Sequence, residues 1–559
     1  MPTQTPPVSA ALATVLDYHQ RTKHRFEAYA PGPGTLDWDA QPAPFRHFDG
    51  APQIALPRLS TMSPGSALHA ALTRPFARLD DPPRAPLPPD LASLGALLQL
   101  SLGLTAWKRY GPDRWAVRAN PSSGNLHPTE AYLLIAGLDA LPDGLYHYRP
   151  ENHALERRAT HPSSGQGPRL AILLSSVMWR EAWKYGERAF RYCQLDTGHA
   201  AGALRYAAAA LGWRLAEQPH VGSDTLAQLA GIDRLAEFPA RKRAETELEE
   251  AEILLAASFS TAVPTALASA ELQALAEHAT WHGVASTIDR YPMYSWPAIA
   301  QVAAASRRVD GPAQPAVALP CAVPRAPGTA AKPVQALLGE RRSAQRFDRH
   351  HLMSQAQFAA ILARLQPDAG LPWDVLGELP RMALVLFVAR VEGLAPGLYL
   401  LPRSEAQRDA LRPLLAGRFA LAPVPGLEPL LQLASLEPLE LQRATRSLHC
   451  HQDIAANACF ALGMLAEFDA ALAAGGPPAY RSLYREAGLI GQALYLEAEA
   501  QGLRGTGIGC FFDDPVHSLL GLSGSAWQTL YHFTVGLPVE DPRIESAPAY
   551  AEDTDTLPH

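Results

Sequence analysis

The sequence predicts an α+β protein built from two similar domains in tandem, which close on each other as a pseudo-dimer within one chain. Three observations predict it. One order of elements occurs twice along 559 residues. A glycine pair fourteen residues apart recurs in each copy's long helix, Gly198 with Gly212 and Gly488 with Gly502. Each copy, finally, has lost a segment that the other has kept. A chain of this length exceeds one ordinary core, and an internal repeat takes precedence over any other fold signal. The expected organisation is an N-terminal arm over 1–60, a first domain over 61–260, a linker or wrap over 261–335, a second domain over 336–548 and a tail over 549–559.

The arm is rich in proline and aromatic residues and carries YHQRTKH (18–24) on a first helix, where His19 and His24 read as surface or arm-packing groups. In the first copy TRPFARLD (73–80) precedes an amphipathic helix, DLASLGALLQLSLG (90–103). The tight polar turn RANPSSGNLHPTE (118–130) then enters an apolar run, AYLLIAG (131–137), with the composition of a buried strand. GLYHY (144–148), the strand LAILLSS (170–176) and a long helix ending in ALGW (210–213) follow. The second copy repeats the order with ERRSAQRFD (340–348), the helix SQAQFAAILARL (354–365), the strand RMALVLFVA (381–389), GLYLL (397–401) and a long helix ending in AQGL (500–503). Both long helices, through LDTGHAAGAL and YREAGLIGQAL, carry small residues at the spacing that close helix packing requires.

The losses are complementary. Only the second copy has the serine of RRSAQRF and the glycines of GLRGTGIGCFFDD (502–514), where the first has RPFARL and GWRLAEQPHVGSD. Only the first has PSSGN, where the second has WDVLGELPRM. If a complete site takes parts from both domains, one site survives and its symmetry mate has decayed. In the PSSGN turn Pro121 and Pro128 fix φ, Gly124 allows a backbone conformation that other residues resist, and Ser122, Ser123 and Asn125 supply short donors and acceptors. Such a turn can lay backbone groups against the edge of a flat heterocycle. His127 and Glu130 read as fixing it by hydrogen bonds. The same residues also suit an ordinary loop, so the paired losses carry the reading.

Composition excludes several classes. A hydrophobic content of 47% provides a sizeable core, and the 51 prolines crowd into Pro2–Pro7, Pro31–Pro89 and Pro312–Pro333, which read as linkers and extended wraps. A net charge of -7 and a pI near 6.3 offer no basic stripe for nucleic acid or anionic lipid. No long apolar run reads as a membrane span and the start lacks the order of a secretory signal, so a cytoplasmic protein is expected. Five cysteines without a paired CxxC read as reduced thiols. Cys510 in particular reads as a small packing residue, since no cysteine is near it in sequence. His449, Cys450, His451 and Asp453 are metal-ligand types, but neighbours on a helix point in different directions, and no metal site is assigned.

RRSxxxF before a helix, PSSGNLHP before a strand and GxGIGxF after a long helix resemble the FMN-binding elements of the nitroreductase superfamily. GLYHY, KYGERAFRY (184–192) and the DTGHAAG helix are similar to the SagB/ThcOx-type group, which includes azoline dehydrogenases of peptide natural-product pathways. The resemblance covers about residues 60–545. It implies two nitroreductase-like domains, each a mainly antiparallel sheet wrapped by helices, sharing one FMN per chain. Arg341, Arg342, Ser343 and Gln345 would hold the phosphate and ribityl chain, as suits guanidinium groups. Pro121, Ser122, Ser123 and Asn125 would meet the ring, Gly507, Ile508, Gly509 and Cys510 would run beside flavin N5, and Arg543 would close the phosphate end.

The adjacent Lys184 and Tyr185 match the Lys-Tyr pair of the azoline dehydrogenases, which implies Lys184 as base and Tyr185 as its orienter or proton partner. A lysine can act so near neutral pH only if burial or positive charge lowers its pKa. The implied activity is oxidation of a modified peptide, azoline to azole, with dioxygen reoxidising the flavin. Many simple nitroreductases carry a Glu where Gly509 stands, which bears against nicotinamide-driven chemistry. Two alternatives stay open: an NAD(P)H-dependent reductase of nitroaromatics or quinones, and a non-catalytic partner that binds peptide or flavin within a maturation complex. Further association of the pseudo-dimers is also open.

Overall fold

The computed structural model describes residues 8–81, 85–139, 141–161, 167–240, 244–313, 319–320 and 331–550. Pro2–Pro7, Cys321, the wrap segments 314–318 and 321–330 and the tail beyond residue 550 lie outside the described residues.

In the first half the apolar runs pair into one sheet in the order Ala154–Thr160, Gly144–Arg149, Thr129–Ala136, Arg169–Ser176, Glu250–Ser258, Arg214–Glu217. The second half repeats it as Leu431–Ser435, Gly397–Leu401, Met382–Val388, Phe460–Glu467, Trp527–Gly536, Arg504–Ile508. Every adjacent pair is antiparallel. The central strand Met382–Val388 is buried at every position because apolar clusters cover both of its faces, so it reads as continuous hydrophobicity rather than alternation. The fold is therefore α+β, one antiparallel sheet topology in two tandem copies.

Segments outside the repeat finish the sheets. Gln53–Ala55 of the arm and Thr280–Trp281 both pair with Ala154–Thr160, which covers an edge that would otherwise expose its backbone groups. Phe48–Asp49 pairs with Val284–Ala285. Glu545–Ala547, late in the chain, pairs with Leu104–Tyr110, whose other neighbour is Asp113–Arg118. The arm helix Val8–Arg21 buries His19, which bonds Gln528 at 3.1 Å and Tyr480 at 3.3 Å, so it packs on the second half.

The two long helices, Ala189–Ala210 and Ala479–Ala500, cross at their glycines. A β-carbon on Gly198 would collide with the Arg485 backbone, and one on Gly488 with the Leu195 carbonyl. Fourteen residues on, Gly212 and Gly502 turn the chain out of each helix with φ of 76° and 72°, a region that favours glycine. One glycine of each pair serves the crossing and the other the exit.

Three local features are set by the fold. Much of the segment read as a glycine-rich loop is an edge strand, Arg504–Ile508, because its backbone pairs with Trp527–Gly536 whatever its side chains. Lys184 and Tyr185 end the helix Met178–Tyr185, which Gly186 stops at φ 57°. His449, Cys450 and His451 lie on no helix: Pro438–Leu448 stops before them and Asp453–Asn457 starts after, with Cys450 and His451 both left-handed. Among the described residues no helix is long and apolar enough to cross a membrane.

Candidate functional site

A cleft of about 470 Å³ lies between the halves. From the first half it takes Pro121, Ser122, Ser123, Gly124 and Asn125, with Tyr185, Tyr192, Asp196 and His199 behind them. From the second it takes Arg341, Arg342, Ser343 and Gln345, and Gly507, Ile508, Gly509 and Cys510.

The polar turn is tightly specified. Asp196, on the long helix, accepts from the Ser123 amide at 3.1 Å and its hydroxyl at 3.0 Å. Ser122 Oγ accepts from the His127 amide at 2.8 Å, and the Asn125 carboxamide donates to the Ala116 carbonyl at 2.9 Å while meeting His127 Nε2 at 3.0 Å. Gly124 is left-handed at φ 60°, and a β-carbon there would stand 2.5 Å from the Tyr185 hydroxyl. Arg180 donates to the His127 carbonyl at 2.7 Å and to Glu130 at 2.6 Å, so His127 and Glu130 do brace the turn.

The opposite wall is basic at one end and bare at the other. Arg341 is 2% exposed. Its Nε donates to the Ala119 carbonyl at 3.0 Å, tying the second half to the residue before Asn120 and the turn, while its Nη1 is buried without a partner among the described residues. An unpaired guanidinium nitrogen is costly to bury. Burial pulls the Arg341 pKa down, and burial with the charges of Arg341 and Arg504 brings Arg342 to about 10. Lys108 and Arg504 add further positive charge to the lining, against Glu540 and Asp541. Tyr495 Oη bridges Ser343 Oγ at 2.9 Å and the Gly507 amide at 3.0 Å, holding the serine segment beside the edge strand. A β-carbon on Gly507 would collide with the Tyr531 hydroxyl, and one on Gly509 with the ring of Tyr192. The bare backbone of this wall is thus required by aromatic side chains already in place.

Two expected residues lie outside the lining. Arg543 is 68% exposed and donates to Asp541 at 2.7 Å, facing the Tyr110 ring instead. Lys184 Nζ sits 5.2 Å from the Trp38 ring centroid and 5.4 Å from that of Tyr185, next to the cleft. Burial draws its pKa below the ordinary value, while Glu181 opposes the change. Asp196 was not singled out from sequence as a site residue, although it lies in the DTGHAAG stretch. Burial pushes its carboxyl up to about 7 against its bonds from Ser122 and Ser123. Glu181, fully buried nearby, is pushed well up by burial and by the charge of Asp196. Tyr192, His199, Tyr495, Arg504 and Tyr531 were missed too, because single residues spread over helices and strands leave no motif.

The segments that the repeat sets opposite PSSGN and the glycine-rich strand also meet, around a smaller cleft of about 370 Å³. Glu217, Glu378 and Glu486 line it. Arg308 bonds Glu217 at 3.1 Å and Glu378 at 2.8 Å, closing those carboxylates on an internal partner.

Residues 338–537 match the family model described as the nitroreductase family. This stretch is similar to that family. A protein of Methanocaldococcus jannaschii, provisionally named a nitroreductase, is 25% identical over 137 residues, 22% of this chain and 66% of its own length. The chain thus spans slightly less than two thirds of that relative. A solved structure from Anabaena variabilis, also provisionally named a nitroreductase, covers 94% of this chain and 99% of its own with a TM-score of 0.66 at 22% identity. The nitroreductase-like fold therefore extends over the first half as well. The Escherichia coli microcin synthetase McbBCD complex, solved with truncated pro-MccB17 bound, covers 36% of this chain and 70% of its own at 20% identity and a TM-score of 0.27, a likeness that bears no functional argument.

Proposed function

We propose that this chain is an FMN-dependent dehydrogenase that holds one FMN between its halves and oxidises a ring within a modified peptide, as in conversion of an azoline to an azole during maturation of a ribosomal peptide natural product. The observation that carries it is the composition of the cleft: a buried arginine with a nitrogen unpaired among the described residues, a bare backbone wall and a braced polar turn, a set that neither half supplies alone. These groups fit a planar heterocycle with a phosphate tail. Among the described residues the smaller cleft has neither the polar turn nor the glycine wall in its lining, in keeping with one flavin per chain.

Bound FMN would supply a hydride acceptor at N5. Arg341, Arg342, Ser343 and Gln345 hold its phosphate and ribityl chain, with charge from Lys108 and Arg504; Arg543 remains outside this set. Pro121, Ser122, Ser123 and Asn125 would meet the ring, and the Gly507–Cys510 backbone would run beside it. Lys184 Nζ accepts the proton from the substrate ring carbon, the lowered pKa of this half-buried amine suiting it to the task. Tyr185 Oη, close to Gly124, orients the substrate or passes the proton on.

An absorbance spectrum with flavin quantitation per chain tests the reading. One FMN per chain, stable to anaerobic NADPH and reduced by the azoline substrate, is the expected result. Two flavins, none, or rapid bleaching by NADPH would each overturn part of it.

A further inference from the structure

Cys450 and Cys510 stand sixty positions apart in sequence and come together beside the cleft. The turn after Pro438–Leu448 brings Cys450 there through two consecutive left-handed residues, Cys450 at φ 51° and His451 at φ 59°. Such conformations are unfavourable for side-chain-bearing residues and persist only where surrounding contacts enforce them. The Gln452 side chain donates to the Cys510 carbonyl at 3.0 Å, and the Phe512 amide to the Leu448 carbonyl at 3.0 Å. Those two bonds lock the turn onto the Cys510 strand exit, and the Cys450 thiol hydrogen-bonds the Cys510 sulfur.

The surroundings make the two sulfurs unequal. Cys510 takes the hydrogen bond from Cys450 and one from His24, and it feels Arg188, whose guanidinium donates to the adjacent Gly509 carbonyl at 3.1 Å. Together these hold Cys510 below the ordinary thiol range despite burial, while the same shared bond and burial push Cys450 up. The nearby Asp513 carboxylate is occupied by Arg188 at 3.1 Å and Arg191 at 2.9 Å. Both cysteines are partly exposed, whereas Cys193 and Cys459 are buried. A thiol with a lowered pKa beside a second thiol is the arrangement that thiol–disulfide exchange uses.

We propose that Cys450 and Cys510 form a reversible dithiol–disulfide couple beside the cleft, with a small aliphatic disulfide as its oxidant. The Cys510 thiolate attacks one sulfur of that disulfide, forming a mixed disulfide and releasing one small thiolate. Cys450 loses its proton to the released thiolate and attacks the Cys510 sulfur, forming the internal S–S bond and expelling the second small thiolate, which takes a proton from solvent. Two protein thiols are oxidised and one small disulfide is reduced to two thiols; excess small thiol reverses the reaction. Cys510 lines the cleft, but the exchange itself uses only the two protein sulfurs and the small disulfide.

The test incubates the full-length protein with oxidised glutathione, quenches it in acid, alkylates the remaining thiols and maps the peptides by mass spectrometry. The expected product is a Cys450–Cys510 linked peptide, in about tenfold excess over any mixed disulfide and lost again in reduced glutathione. Cys450→Ser should instead accumulate a stable mixed disulfide on Cys510, and Cys510→Ser should leave Cys450 unmodified. A wild-type protein that stops at a mixed disulfide, that reacts at neither cysteine, or whose Cys450 reacts equally well in Cys510→Ser overturns the proposal. The wild-type measurement decides it even if a variant fails to fold.

Discussion

A β-carbon on Gly488 would stand 3.0 Å from the α-carbon of Gly198, so the two long helices meet backbone to backbone at the centre of the chain. This crossing sets the distance between the halves and hence the width of the cleft. Gly488→Ala should destabilise the protein by roughly 1–3 kcal/mol through overpacking, seen as a lower unfolding midpoint together with flavin loss. An unchanged midpoint would mean that the helices separate without cost.

Arg341→Ala removes the buried guanidinium that ties Ala119 and leaves one nitrogen free for an anion. Losing charge-assisted bonds of this kind is worth about 1.5–3 kcal/mol, so FMN affinity should fall roughly tenfold to a hundredfold by fluorescence titration. Retained affinity would place the phosphate elsewhere.

Tyr192 occupies the space that a side chain at position 509 would need. Gly509→Glu should therefore lower flavin content, and Tyr192→Ala in the same chain should restore at least part of it. If the single substitution is neutral, the bare wall is not enforced by Tyr192.

Lys184 lies next to the cleft rather than in its lining, packed against Trp38 and Tyr185. If it is the base, Lys184→Ala should keep its FMN and lose about a hundredfold or more in turnover on the azoline substrate. Full turnover with retained flavin would remove Lys184 from the chemistry.

Burial raises the Asp196 carboxyl from its ordinary 3.8 to about 7. Between those values the folded ligand-free protein holds a proton that the unfolded chain has released, so stability falls as pH rises across this window. The full effect is on the order of 4 kcal/mol. Asp196→Asn should flatten the slope in denaturant titrations run from pH 4 to 7. A slope identical to wild type would show that Asp196 does not titrate there.

The tandem repeat, the apolar strands and the two complementary segments were legible in the sequence, because periodicity, turn residues and missing motifs are local properties, whereas the antiparallel pairing came only with the family resemblance. PSSGN, the Arg341–Gln345 segment and the glycine-rich run each announce a backbone that must bend or lie bare. Less was legible about side chains that act singly. Asp196, Tyr192 and Tyr495 look like ordinary helix residues, and only packing turns them toward the cleft. Arg543 looked like a phosphate ligand, yet it faces Asp541 and Tyr110 because its segment joins the Leu104–Tyr110 strand at the surface. Cys510 has no cysteine near it along the chain, and the fold brings Cys450 to it. Sequence by itself determined which pieces exist and that neither half holds a complete set. Tertiary structure decided which pieces meet, since contacts such as Gly198 with Gly488 and Cys450 with Cys510 depend on how two helices cross and where a turn folds back, and chain order encodes neither distance.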